Sequence, residues 1–191
     1  MHALRFPVVT ILPLFFCAIG CGSTTVIQRS GPPSALLPVA KIYVVSDLST
    51  FTVEGESESA YVGDLDAEEV EDYEKAKEAM QTSLTENLQE EVPGVQVIAV
   101  PPNAVPNEAG AAVLTVKYLD VFPGYYGFGS DDAVVTAQLS FAVGGGVTDV
   151  VQIEADSDAD RYRPTMMQRL SICGAEIGEE VGEFINESRA P

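Results

Sequence analysis

From Val135 to Phe141 the chain alternates strictly, with Val135, Ala137, Leu139 and Phe141 on one face of a strand and Thr136, Gln138 and Ser140 on the other. A strand of that kind sits in a sheet with one covered face and one wet face. It runs over residues 132–143, and others of similar character are predicted at 41–45, 95–99, 111–122 and 147–155, the last after the turn Gly144-Gly145-Gly146. Two segments change period. Asp66 with Glu69 forms a capping-box pattern ahead of Val70, Tyr73, Ala76, Met80, Leu84 and Leu88, an apolar stripe at helical spacing that Pro93-Gly94 ends. A second helix is predicted from Pro164-Thr165 to about Asn186, its stripe being Leu170, Cys173, Ile177, Val181, Phe184 and Ile185. Residues 46–63 read as an exposed loop or irregular edge strand. The order implies an α+β fold, a two-layer sandwich with a mainly antiparallel sheet of four to five strands and two helices on one face. With 46% hydrophobic residues the chain can bury a core.

Residues 1–20 carry Arg5 and then an apolar run that Pro7 and Pro13 interrupt, too short to span a bilayer, which needs roughly 20 apolar residues. The layout is that of a secretory signal. Ala18-Ile19-Gly20-Cys21 resembles the lipobox of bacterial lipoproteins, departing from it at Ala18, where that family usually carries Leu. The resemblance implies cleavage before Cys21, lipidation of Cys21 with acyl chains such as palmitate, and, since Gly22 follows, sorting to the outer membrane. A single acyl chain binds marginally, and more than one holds firmly. Cys17 leaves with the signal, so Cys173 is the lone remaining thiol and no internal disulfide is available. Residues 21–38, rich in Ser, Thr, Gly and Pro, read as a flexible linker, and 39–188 as a single domain.

Charge and composition exclude several functions. With 10 Lys+Arg against 29 Asp+Glu the net charge is −19, which would repel a nucleic-acid backbone. The single histidine is His2, inside the predicted signal, so histidine-based catalysis and His-ligated metals are excluded from the mature chain. No acid stands in an apolar context that marks a general acid, and Cys173, without a basic neighbour, reads as packing. We predict no enzyme activity and no cofactor.

Three motifs stand out. Gly174, Gly178 and Gly182 recur every four residues, at a cost of about 0.8 to 1 kcal/mol each against Ala, so packing must compensate. That packing is either close approach of the helix to its own sheet or a small-residue helix interface in an oligomer. Residues 123–132 hold Tyr125, Tyr126 and Phe128 among glycines without the lysine or helix start of a phosphate loop, leaving a hairpin loop with partly packed rings or an exposed aromatic contact patch. Asp156, Asp158 and Asp160 alternate like the start of a calcium loop, but Arg161 and Met167 occupy positions that need Gly and Glu, so an acidic connection is the simpler reading.

The opening KIYVV, the helix ending at VPGVQVIAV, the strand VLTVKYLDVFPG, the GFGS loop, the strand VVTAQLSFAV and the final amphipathic helix together resemble uncharacterised bacterial lipoproteins of the DUF4410 type. The resemblance covers about 150 residues and matches no catalytic motif. It departs in an acidic insertion near residues 54–66 and in the three glycines before Val147. The expected role is that of a lipid-anchored envelope protein, a non-catalytic interaction or assembly module whose partners are the membrane and either an envelope protein or a second copy. A carboxylate-based envelope hydrolase and an acidic structural or calcium-binding surface protein are the alternatives.

Overall fold

The computed structural model describes residues 23–190. The predicted signal of residues 1–20 and the lipidation site Cys21 lie outside them.

The elements are β1 (Ser23–Gln28), β2 (Lys41–Asp47), β3 (Thr52–Val53), β4 (Glu56–Ser57), α1 (Glu58–Asp64), α2 (Ala67–Glu91), β5 (Gln96–Ala99), β6 (Ala111–Phe122), β7 (Ala133–Val143), β8 (Gly146–Ser157) and α3 (Met166–Arg189). Six strands lie in the order β1-β8-β7-β6-β2-β5, and β3 pairs with β6 and β4 beside them. β1, β8, β7 and β6 are mutually antiparallel, but β2 runs parallel to both β5 and β6. The sheet is therefore mixed and larger than the predicted four to five strands. A parallel neighbour requires a crossover, and α2 supplies one by carrying the chain back between β2 and β5.

Two further corrections concern segments that looked irregular. Ser23–Gln28, expected as flexible linker, forms edge strand β1 on β8, with Ser23 opposite Glu154. All six residues are exposed, so the strand is held by its ladder rather than by a buried face. Within 46–63, Phe51 and Val53 are buried and Glu58–Asp64 is a third helix. The hairpin β3–β4 turns on Glu54 and Gly55, both at positive φ, the conformation that matches strand twist.

The predicted helices and the β7–β8 hairpin form as read. Asp66 Oδ1 accepts from the amides of Glu68 and Glu69 at 2.9 Å, and Glu69 Oε2 accepts the Asp66 amide at 2.9 Å. Tyr73, Ala76, Met80, Leu84 and Leu88 are buried along α2, whereas Val70 is half-buried. On β7, Val135, Ala137, Leu139 and Phe141 are fully buried in the core, and the alternate positions remain partly open. Gly144 and Gly145 turn this hairpin at positive φ.

The two long helices pack against each other as well as on the sheet. Cβ atoms at Gly174 and Gly178 would run into the carbonyl oxygens of Met80 and Leu84, and one at Gly182 into the side chain of Glu91. Sequence positions rise together along both helices, so α2 and α3 are parallel and their N-termini share one end of the molecule. The three glycines are buried there, against a helix of the same chain. Neither the sheet nor an intermolecular interface is their partner, and they are withdrawn as candidate interaction residues.

Candidate functional site

The loop of residues 123–132 joins β6 to β7 at the end where β8 finishes and α3 begins. Its base is locked. Tyr125 and Asp131 exchange amide–carbonyl bonds of 2.8 and 2.9 Å, and Gly124, at φ +67°, lies so close to Ala133 and Asp131 that a Cβ would sit 2.6 Å from the Ala133 nitrogen. Ser130 Oγ donates to the Gly127 carbonyl at 3.0 Å and closes the tip.

Arg169 fastens this loop to the start of α3. Its guanidinium is buried and donates to the carbonyls of Pro123 (3.0 Å), Gly124 (2.9 Å), Arg163 (3.1 Å) and Pro164 (2.9 Å). Burial lowers its pKa, and backbone carbonyls rather than a carboxylate satisfy it. The sequence held a signal for this role: Arg169 extends the line Cys173, Ile177, Val181, Ile185 by one helical turn, so it had to point inward.

On this base the rings stand outward. Phe128 is completely exposed, at 107% of its reference area, with Tyr125 at 58% and Tyr126 at 41%. The rings are therefore not packed into the domain, although Tyr125 lies over Gly127, which has no room for a side chain. Tyr162 and Met167, both exposed, stand on the neighbouring segment that Arg169 ties to the loop, and Arg161 lies 4.6 Å from the Tyr162 ring centroid.

The nearby acids do not converge. Asp160 caps the amides of Tyr162 (2.8 Å) and Arg163 (3.1 Å), and Asp158 pairs with Arg163 at 3.3 Å. The amide of Asp156 donates to Glu176 at 3.0 Å, while burial, with Asp158 and Asp132 nearby, pushes the Asp156 carboxyl up. Among the described residues no group of three His, Cys, Asp or Glu side chains is placed to hold a metal, and Asp156, Asp158 and Asp160 are not brought together as one. Cys173 is buried with its thiol pushed up to about 12, chiefly by burial, which suits packing and not nucleophilic attack.

Two cavities lie elsewhere. A groove of about 950 Å³ runs between α2 and β2, floored by Val44, Leu48 and Pro101. Two lysines line it: Lys75 pairs with Glu71 (2.7 Å), and Lys77 is bound to Glu58 (2.5 Å) and Glu74 (2.8 Å) and covers the Tyr73 ring. A smaller one of about 530 Å³ lies where α1 ends and α2 and α3 begin, lined by Tyr61, Leu65, Met166 and Met167.

No protein-family model matches the chain, and no curated protein matches it. Among solved structures, the chain is similar to a PelC dodecamer from Paraburkholderia phytofirmans, with 18% identity over 84% of this chain and 98% of that one and a TM-score of 0.47. A singly substituted PelC dodecamer from the same organism gives 17% identity over 84% and 98% and a TM-score of 0.40. A crystal structure of an uncharacterized protein gives 14% identity over 79% and 94% and a TM-score of 0.39.

Proposed function

We propose that this chain is a lipid-anchored protein of the bacterial cell envelope, sorted to the outer membrane, whose α+β domain acts by contact and performs no chemistry of its own. The contact surface is the loop bearing Tyr125, Tyr126 and Phe128. The observation that carries this reading is a mismatch between exposure and rigidity: large rings stand in solvent on a base that Arg169 and the Tyr125–Asp131 bridge hold fixed. Ordering a flexible loop on binding costs conformational entropy, and a pre-set aromatic loop avoids most of that cost. The rings make no contribution to the domain core that would explain them otherwise. The anchor reading rests on the motif Ala18-Ile19-Gly20-Cys21.

The test combines alanines at Tyr125, Tyr126 and Phe128. In-cell crosslinking of this triple variant, to protein and to lipid, is expected to lose the adducts that the loop of the parent chain forms while the melting temperature holds. A large fall in melting temperature with crosslinks intact would make the rings structural and end the proposal.

A further inference from the structure

We propose that the aromatic loop is seated in a zwitterionic lipid bilayer, as a second membrane contact beside the N-terminal lipid; this rests on the reading of Cys21 as the anchor. The argument comes from strand register. Ser23 pairs with Glu154, and Glu154 with Thr136, so the chain enters the sheet three residues below the start of β7 at Ala133. Three strand residues rise about 10 Å, and the sideways offset of two strand spacings is also about 10 Å. Cys21 precedes Ser23 by two residues, a chain length of at most about 7 Å. In sequence only Gly22 separates Cys21 from β1, because Ser23–Gln28 of the expected linker is strand. A bilayer that holds the Cys21 lipid therefore lies at the level of the loop base, and Phe128, Tyr125 and Tyr126 project beyond that base.

The ring types suit this placement. A phenyl ring partitions below the headgroups, and tyrosines keep their hydroxyls in the wet interface. Tyr162 and Met167 share that end and widen the apolar face. Asp131, Asp132, Asp156, Asp158 and Asp160 surround it against Arg161 and Arg163, so anionic lipid would be repelled and a zwitterionic surface is selected. At the opposite end Val147 is exposed.

The chain contains no tryptophan, so Phe128→Trp introduces a unique reporter at an exposed position. The full chain, purified from membranes with its native N-terminus, is reconstituted into phosphatidylcholine vesicles with and without bromine on the acyl chains, next to Val147→Trp and Cys21→Ser controls. Expected are flotation that Cys21→Ser abolishes, about a two-fold loss of the Phe128→Trp emission on brominated lipid, and no loss for Val147→Trp. Tyr126→Trp, read in the same way, guards against a local defect at position 128. A chain that floats while its Phe128→Trp and Tyr126→Trp indoles both stay unquenched overturns the loop proposal, leaves the anchor standing, and returns the loop to a protein partner. A chain that does not float overturns the anchor reading, and the loop proposal falls with it.

Discussion

Gly178 meets Leu84 backbone to backbone: a β-carbon at Gly178 would sit 2.5 Å from the Leu84 carbonyl oxygen. Gly178→Ala should gain about 1 kcal/mol of helix propensity and lose more by forcing α2 from α3, a net loss of about 1–3 kcal/mol in denaturant unfolding. Gly63, in α1 with nothing within 4 Å of its would-be Cβ, is the control. Gly63→Ala should stabilise by about 0.5–1 kcal/mol.

Arg169 sets the loop base, and its loss strands buried carbonyls. Arg169→Ala is expected to cost about 3 kcal/mol and to speed amide exchange at residues 124–131, read by mass spectrometry. Arg169→Lys should recover less than half of that, because a single ammonium cannot span four carbonyls that the guanidinium reaches. Unchanged exchange in both variants would remove Arg169 from the account.

The N-terminal strand is pinned by a fully buried carboxylate, Asp149, which accepts from the Ser30 amide at 2.7 Å and from its hydroxyl at 2.8 and 2.9 Å. Arg29 adds an ion pair with Glu187 at 3.2 Å and lies 4.8 Å from the Phe184 ring centroid. Asp149→Ala should cost about 2 kcal/mol and open residues 29–38 to limited proteolysis.

Acid titration should show two limbs. Burial and neighbouring acids raise Glu183 and Asp156, so their ionised forms oppose folding near neutrality, and protonation relieves this as pH falls. Glu108, lowered by the bonds from Tyr43 and then Lys41, and Asp47, lowered by Ser49, contribute stability that is lost as pH falls through their folded pKa values. The melting temperature should climb from pH 7 towards about pH 5 and drop below about pH 4. Glu183→Gln should flatten the upper limb.

The Cys173 thiol, at about 12 and buried against Ala133, should resist alkylation in the folded chain. Labelling of the Cys173 peptide, followed by mass spectrometry, is expected to track global unfolding by denaturant.

What sequence made legible is what is encoded locally. The Asp66 capping box, the α2 and α3 stripes and the alternation of β7 each depend on residues a few positions apart. The direction of β2 against β6 depends on where α2 and residues 100–110 return the chain, which no short window contains. β1 was hidden because Ser23–Gln28, exposed throughout, has the composition of a linker and is held by backbone pairing and side-chain bonds to distant segments rather than by an apolar face. The glycine stripe announced a close approach but not its partner. The aromatic loop was legible as a motif, while its rigid base was not, since Arg169 joins segments about 45 residues apart.

The most direct test of the account is the intact mass of the N-terminal peptide of the protein taken from bacterial membranes. A peptide beginning at Cys21 and carrying a diacylglyceryl group is expected. A peptide beginning elsewhere, or an unmodified Cys21, would contradict the membrane-anchored reading.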